Sequence, residues 1–157
     1  MIYERSCEPL GSNIIMSVSV PDDLDLAKRV LREEDLSLAV VKNGRVLFRS
    51  KSHGVSDLLF MISDIGRLAE ESSLADSIIG RAAALLCVYS KIVAVYGVNM
   101  SKGALSVFKA NGIKCEYGTL VVRILNREKN DICPFDKAVL GIDDPSIALD
   151  KLKSIRF

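Results

Sequence analysis

Apolar and polar residues follow one another along this chain in blocks whose spacing names the elements. Behind Pro21, the carboxylates Asp22 and Asp23 stand where a helix N-cap and first turn favour negative charge. Leu24, Ala27, Val30 and Leu31 follow at helical spacing. Leu36–Val41 reads as a buried strand and Val46–Arg49 as its return. Between them Asn43–Gly44 is a hairpin turn, because Asn-Gly accepts positive φ at both central positions. After a polar loop, Ser50–Gly54, the residues Val55, Leu58, Leu59, Ile62, Ile65 and Leu68 or Ala69 predict an amphipathic helix, broken at Glu70–Ser73. A second helix is predicted from about Asp76 to Tyr89, with Asp76 as its N-terminal capping carboxylate. The small residues Ala82–Ala84 let that helix lie close against a sheet.

The β-branched run Ile92–Val98 reads as a strand of a parallel sheet. Ser101 or Asn99 then caps a helix through about Ala110, which Asn111–Gly112 stops. Tyr117–Ile124 is a further strand and Asn126–Asp131 a polar loop. Pro134 opens a short helix, and Pro145–Ile155 is a terminal helix capped by Asp143 or Asp144. A hairpin followed by strand–helix–strand crossovers gives a mixed sheet of four or five strands with helices on both faces. The expected class is α/β, a three-layer α/β/α sandwich. Residues 1–21 are read as an N-terminal extension, with a short strand at Ile14–Val20, and residues 22–157 as the domain.

Composition narrows the function. Lys and Arg number 21 against 20 Asp and Glu, a formal charge of +1, so bulk attraction to nucleic acid or anionic lipid is not expected. Aromatic residues are 6% of the chain, which further disfavours a nucleic-acid platform. The cysteines at 7, 87, 115 and 133 contain no CxxC pair, so neither a zinc ribbon nor a disulfide scaffold is expected. Neither a secretory h-region nor a membrane-length apolar run is visible, and the expected location is cytoplasmic with reduced thiols. No Walker loop and no GxGxxG occurs.

The segments ADSIIGRAAALL, KIVAVYGV, MSKGALSVF and NREKNDICPFDKAV together resemble a small family of uncharacterised bacterial and archaeal proteins. That family is a domain of unknown function assigned to the cytidine-deaminase-like superfamily, and the resemblance covers about Leu24 to Leu152. It implies the deaminase-like sandwich. It also implies two motifs that hold a zinc-bound hydroxide: a His-Ala-Glu or Cys-Ala-Glu triplet, and a Pro-Cys-x-x-Cys at the start of the next helix. Here the triplet falls near Gly80–Arg81–Ala82. The second motif falls at Ser101–Leu105, with Lys102 and Leu105 in the two cysteine positions. An ammonium and an alkyl group cannot ligate zinc. The resemblance therefore implies a scaffold with no metal site, no cofactor and no hydrolytic deamination.

On that scaffold two helix starts face one crevice at the carboxyl ends of the strands, where ligands of open α/β sheets bind. Arg81, Ser101 and Lys102 there compose a site for a phosphate or carboxylate on a nucleotide-like small molecule. The alternative is that Ser101 merely caps its helix while the two cations are solvated. Asn126, Arg127 and Asp136 belong to the same family-like segment, either as ligand contacts or as loop and cap residues. Cys133, before Pro134 at a helix start, is a candidate nucleophile whose thiol the helix dipole would make more acidic; Asp136, one turn on, opposes that. His53, the one histidine, is either an acid–base group reaching the crevice or an exposed loop residue. The first expectation is an anion-binding protein. The alternatives are a non-catalytic oligomeric interaction module and a zinc-independent enzyme using Cys133.

Overall fold

The structure, a computed structural model, describes residues 22–155. The strand expected at Ile14–Val20 and Cys7 lie outside the described residues. Five strands form one sheet in the order β2-β1-β3-β4-β5: β1 Leu38–Lys42, β2 Arg45–Ser50, β3 Ser73–Ile79, β4 Ala94–Ser101 and β5 Lys114–Val121. β1 pairs antiparallel with β2 and β3, while β3, β4 and β5 run parallel. The sheet is mixed, as the hairpin-then-crossover order predicts.

Helices cover both faces unequally. On one face lies α1, Asp23–Glu33, whose Ala27, Val30 and Leu31 pack on Ala39 and Val41 of β1 and Ala75 of β3. Lys28 extends this contact along the sheet, bonding Glu116 at 2.8 Å with its ammonium 4.8 Å from the Tyr96 ring centroid. The other face carries α2 (Val55–Ile65), α3 (Arg81–Tyr89) and α4 (Lys102–Ala110), with α5 (Pro134–Ala138) and α6 (Pro145–Lys153) packed against α3. Leu38, Val40, Leu74, Val95, Leu86, Met100 and Phe108 are fully buried in that larger core. Among the described residues no helix is long and apolar enough to cross a membrane.

Local signals place most boundaries. Asp22 caps α1 by accepting the Leu24 N–H at 3.0 Å, and Ser101, not Asn99, caps α4 by accepting the Ala104 N–H at 3.1 Å. Asp144, not Asp143, caps α6. Asn43 and Gly44 take φ of 52° and 76°, as a tight hairpin turn requires, and Asp23 accepts both of their N–H groups at 2.8 Å. α2 stops at Gly66, whose φ of 50° ends the helix before a 3-10 turn, Gly66–Ala69.

One element departs from the sequence reading. Ser73–Ile79 is not the start of a helix but β3, the central strand. Asp76 accordingly caps nothing on α3; it sits mid-strand opposite Leu38 of β1 and Gly97 of β4. A strand buried on both faces loses its alternating pattern, and Leu-Ala-Asp-Ser carries no β-branched signal against a helix. Sheet pairing on both edges outweighed propensity. The strands expected at Ile92–Val98 and Tyr117–Ile124 also shift, to Ala94–Ser101 and Lys114–Val121.

Candidate functional site

The parallel half of the sheet brings two helix starts together. β3 ends at Ile79 and passes through Gly80 into α3, and β4 runs through Ser101 straight into α4. Both crossovers lie on the same face, so α3 and α4 are neighbours and their N-termini abut. A Cβ on Gly103 would lie 3.7 Å from Cβ of Arg81 and 3.8 Å from Oγ of Ser101. Cβ of Arg81 and Oγ of Ser101 thus lie close together, and Lys102, next to Ser101 in the chain, has its side chain exposed.

What occupies the start of α3 is the chain itself. The Ala82 N–H donates to Oδ1 of Asp136 at 2.8 Å, and the Arg81 N–H also acts to favour that carboxylate. Asp136 comes from α5, 54 residues downstream, and is buried. Gly80 makes room for it: a Cβ there would lie 2.2 Å from Oδ2 of Asp136. Burial raises the Asp136 carboxyl above its ordinary value, against the lowering by these N–H groups and by the Arg81 charge.

Arg81 is engaged in the same direction. Its Nε donates to the Val139 carbonyl at 3.3 Å, and its Nη2 to the Ile142 carbonyl at 2.5 Å and to Oδ1 of Asp143 at 2.7 Å. Asp143 is 95% exposed, so the ion pair itself adds little. The two carbonyls lie in the turns that follow α5, where the Val139 carbonyl also accepts the Ile142 N–H at 3.0 Å. Three consecutive residues, Gly80, Arg81 and Ala82, thus clasp residues 136–143 to α3: one by lacking a side chain, one by its guanidinium, one by its N–H.

The remaining candidates fall around this clasp. Cys133 is the N-cap of α5. Burial raises its thiol pKa and outweighs the lowering by the N–H groups of Asp136 and Phe135, so the dipole-acidified thiol expected from sequence is not what the structure gives. Asn126 organises its own loop, donating to Oδ1 of Asn130 at 2.8 Å and accepting the Asn130 N–H at 3.1 Å. Arg127 is exposed on that loop's turn. Among the described residues no hydrogen bond joins either to Arg81, Ser101 or Lys102. His53 is exposed in the β2–α2 loop. A cleft of about 340 Å³ lies away from these residues, lined by Ile62, Gly66, Arg67, Glu70, Tyr89, Ser90 and Lys91 between the C-terminal ends of α2 and α3. It brings together none of the candidate residues. Sequence reasoning named Gly80 only as the place of the triplet and Asp143 only as a cap for the terminal helix, and missed their part in the clasp. The breaker between an apolar run and an Ala-rich helix was the one available signal for Gly80.

Comparison with known proteins matches residues 26–155 to the model of a family described as a domain of unknown function (DUF1893). Among solved structures, a DUF1893 family protein from Thermotoga maritima is similar over 92% of this chain and 99% of its own, with 28% identity and a TM-score of 0.78. RibD of Acinetobacter baumannii is similar over 61% of this chain and 35% of its own, at 13% identity and a TM-score of 0.48. A Thermotoga maritima diaminohydroxyphosphoribosylaminopyrimidine deaminase/5-amino-6-(5-phosphoribosylamino)uracil reductase is similar over 66% and 34%, at 16% identity and a TM-score of 0.43. No curated protein sequence matches the chain.

Proposed function

The chain belongs to the DUF1893 family, a domain of unknown function, and on that footing we propose that it is a non-catalytic binding module whose crevice is held shut by its own carboxylate. The observation that carries this reading is Asp136 seated on the N-terminus of α3. A helix N-terminus attracts an anion because its first N–H groups are unpaired and its dipole is positive there. Here an internal anion meets that demand.

The donor set does not fit the zinc that a deaminase-like scaffold implies. Gly80, Ala82 and Leu105 offer no side-chain lone pair, and Arg81 and Lys102 are cationic. Asp136 is engaged with backbone N–H groups, and burial keeps the Cys133 thiol from ionising readily. We derive no zinc-dependent step from these residues. The same rise in the Cys133 thiol weighs against a cysteine nucleophile. The module's contacts then fall to its surface, where Val98, Val122, Leu125 and Leu140 are exposed apolar side chains suited to another protein chain or a second copy.

A second reading keeps the small-molecule site: a ligand phosphate or carboxylate would take the place of Asp136 and meet Lys102 and the start of α4. The abutting helix starts favour it, because a pocket that holds one carboxylate has the chemistry to hold another. Thermal melts with inorganic phosphate, a nucleoside monophosphate and ribose 5-phosphate separate the two. A wild-type protein indifferent to all three, beside an Asp136→Ala variant stabilised by phosphate, supports the closed module. Stabilisation of the wild type that falls about tenfold in affinity on Lys102→Ala, one charge-assisted bond's worth, supports the ligand site and overturns the first reading.

A further inference from the structure

β5 lies at one edge of the sheet and, among the described residues, pairs with β4 alone. Its eight residues keep one register with β4, from Ala94 opposite Lys114 to Ser101 opposite Val121, and contain no proline. The other edge, β2, is shorter, and its pairing with β1 shifts register between Val40 and Val41. Shortness and bulges blunt an edge, and β5 has neither. The Lys114 N–H donates to the Val93 carbonyl at 3.2 Å. With a period of two, Glu116, Gly118 and Leu120 also turn their backbone groups to β4. Cys115, Tyr117, Thr119 and Val121 turn theirs outward. Cys115 packs on the larger core, so these four side chains share its face, on which Tyr117 is 43% exposed.

Two ion pairs fix where the chain enters α1 relative to this edge. Nζ of Lys114, the first residue of β5, lies 3.4 Å from Oδ2 of Asp22, the N-cap of α1. Nζ of Lys28, further along α1, lies 2.8 Å from Oε1 of Glu116. Only Pro21 separates Asp22 from the run Ile14–Val20. In that run Ile14, Met16, Val18 and Val20 alternate with Ile15, Ser17 and Ser19, the pattern of a strand with one apolar face.

We propose that Ile14–Val20 adds to the free edge of β5 as a sixth strand, antiparallel to it and supplied by the same chain. Direction follows from the connection. The segment has to reach Asp22 beside Lys114, where β5 begins, so it runs from the end of β5 towards its start. A parallel strand would finish about 23 Å away, at about 3.3 Å per residue, and Pro21 alone cannot return that distance. Length agrees, with seven residues against the eight of β5. Register follows from the outward backbone groups. Val20 opposite Cys115 leaves Pro21 beside Lys114 and sets Val18 opposite Tyr117, Met16 opposite Thr119 and Ile14 opposite Val121. Each of these pairs exchanges both of its N–H···O bonds, and its two side chains share a face. Four apolar side chains thus extend the core-side row of β5 and cover Tyr117. A slip of one residue would bring serines into that row and turn the apolar set towards the side of Lys114 and Glu116.

Amide exchange and nuclear Overhauser contacts in the full chain test this. The Tyr117 and Thr119 amides, which face away from β4, are expected to exchange at least about tenfold more slowly than their intrinsic rates. Hα–Hα contacts are expected between Ser19 and Glu116 and between Ser17 and Gly118, whose Cα atoms come within about 4.5 Å in such pairs. Val18→Pro removes the donor to the Tyr117 carbonyl and breaks the ladder there. It is expected to speed Tyr117 exchange by about tenfold or more while Gly118, bonded to β4, keeps its rate. Tyr117 and Thr119 amides exchanging at their intrinsic rates in the wild type overturn the proposal, as does protection that Val18→Pro leaves untouched. Contacts found only between differently labelled chains in a mixed sample mean that a second copy supplies the strand, and they overturn it too. Should Val18→Pro fail to fold, the wild-type contacts decide: their presence within one chain supports the sixth strand, and their absence refutes it.

Discussion

Substituting Gly80 by Ala isolates the clasp. The backbone of Gly80 lies at φ −100° and ψ −173°, an extended conformation open to any residue, so the added methyl strains nothing in the chain itself. It does collide with Asp136, lying 2.2 Å from Oδ2 and 2.8 Å from Cγ. The carboxylate must therefore leave the start of α3 and surrender its bond to the Ala82 N–H. A hydrogen bond to a charged group contributes roughly 1.5–3 kcal/mol, while a Gly→Ala change in a permissive conformation returns roughly 0.4–1 kcal/mol through the unfolded chain. The net cost is about 1–2 kcal/mol, or a fall in Tm of about 2–8 °C for a domain of this size. Urea and thermal unfolding of wild type, Gly80→Ala, Asp136→Ala and the double variant measure it. Without the Asp136 carboxylate the three atoms nearest the added methyl are gone, so Gly80→Ala should then be neutral or slightly stabilising. Equal destabilisation in both backgrounds would refute the reasoning, because it would mean that the methyl and the carboxylate do not meet.

Two further outcomes follow from the same end of the sheet. Asp136→Asn retains an oxygen that accepts the Ala82 N–H but cannot ionise. Since burial raises the Asp136 carboxyl, the wild type loses stability as pH climbs from the unfolded pKa through the folded one. The variant should therefore gain on the wild type with rising pH, read from urea midpoints between pH 4 and 8, and a constant difference would count against it. Cys133 should react with iodoacetamide at pH 7 more slowly than a small-molecule thiol, and Cys133→Ser should leave any binding found for the wild type unaltered; rapid alkylation would show that burial does not govern this thiol.

The parts legible in the sequence were those written locally. Asn43–Gly44 gave its turn, Ser101 its cap, and Pro134 and Pro145 the starts of α5 and α6, because each acts on its own backbone within a few residues. The central strand was hidden: Ser73–Ile79 is held by partners from two other elements, and its Ala and Ser fit a helix as well as a strand. Of the residues engaged around the two helix starts, Arg81, Ser101 and Asp136 stand out in the sequence as polar groups at helix starts. Their engagement was not legible, because it depends on which of the helix starts the Asp136 carboxylate reaches. Asp136 lies in the first turn of α5 yet bonds to α3, and no local pattern encodes a contact 54 residues away.

The position of β3 has a consequence for how this chain assembles. It pairs Leu38 with Asp76 on one side and Ser73 with Ala94 on the other, so no sheet hydrogen bond joins the antiparallel hairpin to the parallel half except through it. The hairpin closes over two residues, whereas each parallel crossover must first order a helix and its connections, at a loop-closure cost with no ladder bonds to offset it until the end. Insertion of Ser73–Ile79 is then the committing step, at which two separately growing half-sheets become one. Truncation at Leu74, fully buried near the start of that strand, should accordingly slow folding more than it hastens unfolding. A chevron whose folding arm is unmoved by Leu74→Ala would place the nucleus elsewhere.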